Sequence, residues 1–78
     1  MYSVYILKDD LSKLYKGMTN NLERRLREHR IGKTKTTRKM EPFSLIYNEE
    51  YSDFLTARKR ELYFKSAAGR KFLKNKLG

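Results

Sequence analysis

The chain has no cysteine, so neither a disulfide nor a thiolate zinc site can staple the fold. It has no tryptophan, a single proline (Pro42) and a single histidine (His29). One histidine excludes any multi-histidine metal site within one chain. Long apolar runs are also missing, which excludes a membrane-spanning helix. The N-terminal Met1–Leu7 stretch lacks a basic leader and a small-residue cleavage site, so it reads as a first strand rather than a signal peptide. The expected location is the cytoplasm. At 78 residues the sequence has room for one domain, residues 1–78. A domain of this size buries only about 60% of its unfolded surface, so much of its chemistry must lie near the surface.

What the chain has in excess is positive charge. Nineteen Lys and Arg stand against nine Asp and Glu, for a net charge of +10. Such a surface favours polyanions, because each neutralised phosphate releases condensed counterions. Nucleic acid is therefore the expected partner. A membrane surface is disfavoured because no helical segment pairs a broad apolar face with the basic one.

Hydrophobic patterning gives the order of elements. Tyr2–Leu7 reads as a buried strand, Asp9-Asp10 as turn formers, and Leu14–Met18 as a second strand. Asn20 with Glu23 three positions on matches a capping box, opening a helix over about 21–31. Leu22 and Leu26 form its inward stripe, and Gly32 fits a left-handed C-terminal position. Residues 32–41 read as a basic loop, and Pro42 precedes a third strand, Phe43–Tyr47. Ser52 or Asp53 can cap a second helix through about Ala68, with Phe54, Leu55 and Leu62 inward and Gly69 ending it. Arg70–Leu77 forms a last helix that pins Phe72, Leu73 and Leu77. The expected fold is α+β, a small three-stranded antiparallel sheet flanked by helices in the order ββαβαα.

One ordered set of residues points to chemistry. Ser3-Val4-Tyr5 is followed by Tyr15-Lys16-Gly17, ten residues from tyrosine to tyrosine. Then come Asn21–His29, with arginines and a histidine, Leu45-Ile46-Tyr47-Asn48-Glu49, and Ala57-Arg58-Lys59-Arg60-Glu61. This order resembles the GIY-YIG nucleases, specifically their small stand-alone branch and the amino-terminal nuclease domain found in excinuclease. The resemblance runs from Tyr2 to about Phe72. It implies a metal-dependent endonuclease that hydrolyses DNA phosphodiester bonds.

The resemblance also assigns roles. Tyr5, Tyr15, Arg25, His29 and Glu61 take the catalytic positions. Glu61 is the implied metal carboxylate for Mg²⁺ or Mn²⁺, hard ions that prefer oxygen and need only one or two carboxylates plus substrate phosphate. Read by itself, Glu61 better suits helical ion pairs with Arg58 and Lys65 at spacings of three and four, and only the surrounding constellation reverses that preference. Arg25 is the implied phosphate clamp, since a planar guanidinium binds phosphate oxygens in pairs. His29 lies four residues later on the same helix face, and reads equally as a structural histidine or as a proton carrier. The resemblance makes Tyr5 the preferred general base and Tyr15 the group that positions water or phosphate. A phenol of pKa about 10 needs neighbouring cations for that work. Tyr2, Tyr47, Tyr51 and Tyr63 read as packing residues. Gly17 allows a close approach or a bulge.

The implied binding surface comprises Lys16, Arg24, Lys33, Lys35, Arg38, Lys39, Arg70 and Asn75. Residues 23–39 hold eight basic and two acidic side chains, and the last two helices add more cations. Arg24, Arg27 and Arg30 otherwise read as a solvated helix face. Three positions depart from the family pattern: Ser3 replaces a glycine, Lys16 an aliphatic residue, and Met18 a lysine found in some members. Alternation places Lys16 opposite Tyr15, toward solvent. No added recognition domain is expected beside this module, and so weak sequence preference is expected. The substrate would be duplex, nicked or branched DNA, in repair or recombination, with a partner protein or a homodimer as further possibilities. The alternative is a nucleic-acid-binding module that cuts weakly or not at all, or an RNA-binding basic protein.

Overall fold

The computed structural model describes residues 1–32 and 43–77. The elements are β1 (Tyr2–Asp9), β2 (Leu14–Thr19), α1 (Leu22–Arg30), β3 (Phe43–Tyr51), α2 (Phe54–Lys65) and α3 (Ala67–Leu77). They occur in the order ββαβαα and form an α+β fold. The basic loop at 33–41 and Pro42, with Lys33, Lys35, Arg38 and Lys39, lies outside the described residues.

The sheet is antiparallel with strand order β2-β1-β3. β1 is central because it is apolar on both faces: Val4, Tyr5, Ile6 and Leu7 are fully buried. Asp9 closes the β1–β2 turn, its Oδ1 accepting from the Leu11 and Lys13 amides at 2.9 and 2.7 Å. The β1–β3 register slips between Ile6, opposite Tyr47, and Leu7, opposite Leu45. Ile46 is the extra residue, and both Ile46 and Tyr47 pack against the same core.

That core is Val4 and Ile6 from β1, Ala57 and Phe64 from α2, and Leu73 from α3. The two C-terminal helices therefore cover one face of the sheet. Tyr5 points to the other face, where it meets His29 of α1. The guanidinium of Arg60 on α2 lies over the rings of Tyr63, Phe64 and Phe72, its Cζ 4.6 to 5.0 Å from their centroids.

Several expected boundaries differ. β3 runs to Tyr51 rather than Tyr47, because Asn48–Tyr51 continue to pair with Tyr2–Tyr5. The cap of α1 is Asn21, not Asn20: its side chain accepts from the Arg24 amide at 3.0 Å. Gly32 does take the left-handed conformation, at φ 78°. Asp53 caps α2 through Thr56. The second helix ends at Lys65, where Ser66 turns extended and its hydroxyl accepts from the Gly69 amide at 3.1 Å. Gly69 thus lies inside α3 and ends nothing. Phe54, Leu55 and Leu62 are exposed, and the inward stripe of α2 is Ala57, Glu61 and Phe64.

Candidate active site

The centre of the site is built on adjacent strands and on α1. Tyr5 and Gly17 face each other in the β1–β2 register. A Cβ on Gly17 would lie 2.6 Å from Cζ and Oη of Tyr5 and 3.0 Å from Cε1 of Tyr15. Position 17 must be glycine for both rings to rest against the strand. No bulge is involved here, since the β1–β2 register is continuous.

His29 is fully buried in the last turn of α1, and its Nε2 lies 2.8 Å from the Tyr5 hydroxyl. The His29 ring packs edge-on against Tyr5, Tyr15 and Phe43, with centroids 5.8, 5.0 and 6.3 Å away. Arg25, one turn earlier, stands beside the Tyr5 hydroxyl and forms an ion pair with Glu28 at 3.1 Å. The i, i+4 spacing that placed Arg25 and His29 on one face therefore brings both to Tyr5.

The electrostatics follow from burial. Loss of solvent pushes the Tyr5 phenol above its ordinary value, and Arg25 only partly opposes this. The Tyr5 oxygen, aided by Glu28, raises the Arg25 guanidinium, which stays charged. Burial and the Arg25 charge push His29 below its ordinary 6.5, so the imidazole is neutral at pH 7. A neutral imidazole beside a neutral phenol gives the Tyr5 proton an acceptor at hydrogen-bond distance.

Glu61 stands apart from this cluster on α2, which packs on the opposite face of the sheet. It is 7% exposed, and its oxygens meet Arg58 at 2.6 Å and Lys65 at 3.2 Å. Both ion pairs suggested by the helical spacing are present. The two cations are half exposed, so either can swing into solvent and release the carboxylate. Among the described residues no group of three or more acidic or histidine side chains converges. Glu61 by itself offers one hard oxygen donor group, and a divalent ion that keeps most of its waters would take it as its one protein carboxylate.

Edge strand β2 joins the two halves. Tyr15 and Gly17 serve the Tyr5 face, while Lys16 pairs with Ile6 on the helical face. Lys16 does not face open solvent as alternation suggested. It is half buried, and its ammonium is pushed down first by burial and then by Arg70 and Lys65. The expected solvent side of the strand is covered by α2, with Arg70 of α3 close enough to act on the Lys16 charge. Arg24 is exposed and donates to Asn20 at 3.3 Å. Arg70 and Asn75 are exposed on α3.

Comparison with known proteins identifies the family. The model of the GIY-YIG catalytic domain matches residues 1–75. The chain belongs to the GIY-YIG family. It is 44% identical over 66 residues to a UPF0213 protein of Clostridium perfringens, covering 83% of this chain and 71% of that one. A UPF0213 protein of Vibrio parahaemolyticus is 32% identical over 82% of this chain, which spans only 61% of that relative's length. A UPF0213 protein of Staphylococcus haemolyticus is 38% identical over 72 residues, 91% of this chain and 88% of the relative. The solution structure of a UPF0213 protein from Bacillus halodurans superposes with a TM-score of 0.59 at 30% identity, covering 96% of this chain and 84% of that one. GIY-YIG domains are a nuclease family, so membership supports nuclease chemistry and a DNA substrate.

One polar network escaped the sequence reading. On β3, Glu49 accepts from the hydroxyls of Tyr47 and Tyr51 and from Arg60 at 2.8 and 3.1 Å. Tyr47 and Tyr51 thus do more than pack. Their period-two spacing with Glu49 was a visible signal, but Arg60 is eleven residues away and the link needs the fold.

Proposed function

We propose that this GIY-YIG domain is a divalent-metal-dependent DNA endonuclease, directed by substrate structure more than by sequence. The observation that carries the reading is the buried Tyr5–His29 hydrogen bond with Arg25 beside it. Burial opposes a free phenolate at Tyr5, so Tyr5 acts as a relay. Tyr5 is fully buried, so the relay operates once substrate binding admits a water to its oxygen. As that water gives its proton to the Tyr5 oxygen, the phenol's own proton passes to His29 Nε2. The hydroxide attacks phosphorus, the P–O bond to the leaving strand end breaks, and that oxygen departs with a proton from solvent. Arg25 neutralises charge on the phosphate oxygens as it develops. When bound at Glu61, a divalent ion would supply Lewis-acid stabilisation of the reacting phosphate.

The test is incubation with supercoiled plasmid and with a branched duplex, in Mg²⁺ or Mn²⁺ and in chelator, beside Arg25→Ala. Metal-dependent cutting that the variant lacks supports the reading. Cutting of neither substrate by the wild type overturns it. The engagement of both Glu61 oxygens by its own helix favours a second reading, a module that binds DNA without cutting. Retained binding with no cutting would select it.

A further inference from the structure

A second concavity opens on the helical side of the sheet, where the far end of β1 meets α3. Its volume is about 310 Å³, near the lower bound of small-ligand pockets. Three cations rim it: Lys8 from β1, and Arg70 and Lys74 one turn apart on α3. Its apolar wall includes Ile46, Leu73 and Leu77. The β3 bulge is what turns Ile46 to this face beside Tyr47. Leu73 is fully buried and joins the main core, so the wall is rigid.

A cationic rim over an apolar wall selects an anion that carries a flat or apolar body. The size admits one unit of a polymer rather than a stack. Arg70 settles the direction from which that unit comes. It lines the pocket and also stands close enough to Lys16 to press on its charge. Lys16 lies between Tyr15 and Gly17 on the edge strand. The positive track therefore rounds the edge strand, from Tyr15 and Gly17 on the Tyr5 face to Lys16 and Arg70 on the helical face, and reaches the pocket that Arg70 lines. Like charges crowded along that track call for a phosphate backbone beside them.

We infer that this pocket holds one unpaired nucleotide of the DNA strand that crosses the candidate active site, its phosphates on Lys8, Arg70 and Lys74 and its base against Ile46 and Leu77, with Leu73 as the buried floor behind them. The inference rests on the nuclease reading for its substrate. It adds a specificity determinant: a flap, overhang or gap supplies an unpaired nucleotide, and an intact duplex does not. Structure-directed recognition then has a physical seat, because a paired base cannot leave its stack without an unstacking cost of a few kcal/mol.

The test is methyl NMR of the labelled protein in chelator, following Ile46, Leu73 and Leu77. Three probes are titrated: a duplex with a short unpaired thymidine overhang, the blunt duplex of the same sequence, and dodecyl phosphate. The overhang duplex should shift these methyl signals and the blunt duplex should leave them unmoved. The Lys8→Ala, Lys74→Ala double variant should weaken overhang binding at least about tenfold. It should also lower the salt slope by about 1.4, two contacts at about 0.7 each for a single strand. Equal shifts from both duplexes, no shift from the overhang, or a response confined to dodecyl phosphate would each overturn the inference. Plasmid or branched-DNA cutting without the methyl response removes the pocket and leaves the nuclease reading. The methyl response in a protein that cuts nothing removes the nuclease reading and keeps the nucleotide pocket.

Discussion

Gly17 lies so close to Tyr5 that a single added carbon would stand 2.6 Å from the phenol's Cζ and Oη. Tyr5 is fully buried, with His29 and Tyr15 against its ring, so it has no open direction in which to yield. Gly17→Ala should therefore destabilise the domain by about 1–3 kcal/mol, as overpacking does. It should also lengthen the Tyr5–His29 hydrogen bond. Urea unfolding and the His29 ring resonances are the measurements. Unchanged stability with an unmoved imidazole signal would refute the steric account.

Tyr5→Phe separates chemistry from packing. The ring stays, and only the hydroxyl that bridges His29 and Arg25 is lost. Losing that buried hydrogen bond to His29 costs about 0.5–1.5 kcal/mol. Loss of a proton relay costs about 10²–10⁴-fold in rate. Single-turnover cutting of a branched duplex should fall by that factor while the circular dichroism spectrum is retained. A variant that cuts at wild-type speed leaves Tyr5 a packing residue.

Those two residues illustrate what the sequence could say. The tyrosine spacing, the arginine and histidine one helical turn apart, and the glycine within the second strand are all local patterns. Local geometry turned each into the observed contact. The ββαβαα order and sheet were legible for the same reason, since strand and helix periods differ. The inward face of α2 was not legible. Its buried stripe is Ala57, Glu61 and Phe64, while the larger Leu55 and Leu62 are exposed. The Arg60 guanidinium covers three aromatic rings, a cation–π contact that no count of hydrophobic residues can register. Gly69 misled for a related reason, since a glycine that permits helix crossing looks like one that ends a helix.

Two titrations should separate in the pH dependence of stability. His29 is pushed below its ordinary 6.5 by burial, so the unfolded chain binds its proton more readily. Stability should be full above about pH 6.5 and decline as the pH falls toward the folded value. Glu49 meets opposing effects: burial raises it, but hydrogen bonds from Arg60, Tyr47 and Tyr51 win and lower it to about 2 from 4.5. Its contribution is present above pH 4.5 and is lost as the pH falls to about 2, on the order of 3 kcal/mol by proton linkage. Urea midpoints from pH 8 to 2 should show two declines. His29→Gln should remove the upper and Glu49→Gln the lower. A single decline untouched by either substitution would mean that other groups control acid unfolding.

Gly69→Ala should be the most damaging single methyl in the chain. A Cβ there would lie 1.8 Å from the Tyr63 carbonyl oxygen and 2.5 Å from its carbon. Both are backbone atoms of α2, so no rotamer can relieve the contact, and α3 must lift away from α2. Leu73 would leave the core with it. A loss of at least about 3 kcal/mol is expected, at the top of the overpacking range. Given the marginal stability of so small a domain, the variant should be largely unfolded near 37 °C. Thermal melts decide this, and a midpoint close to wild type would show that the two helices have room to separate.

Glu61→Gln asks whether the buried carboxylate serves chemistry or the helix. Its partners Arg58 and Lys65 are each about half exposed, at 48%. Ion pairs with such exposure contribute about 0–1 kcal/mol, and glutamine keeps the shape and two hydrogen-bonding atoms. The melt should therefore change by no more than about 1 kcal/mol. A residue holding the divalent ion predicts a different scale of loss: cutting should fall at least about 100-fold at every metal concentration. It should also lose calorimetric binding of Mn²⁺, a readout independent of turnover. The combination of intact fold, lost metal binding and lost cutting assigns Glu61 to the metal. If Mn²⁺ still binds and the rate holds, the carboxylate belongs to its helical ion pairs, and the hard ligand must be sought among the substrate's own phosphates.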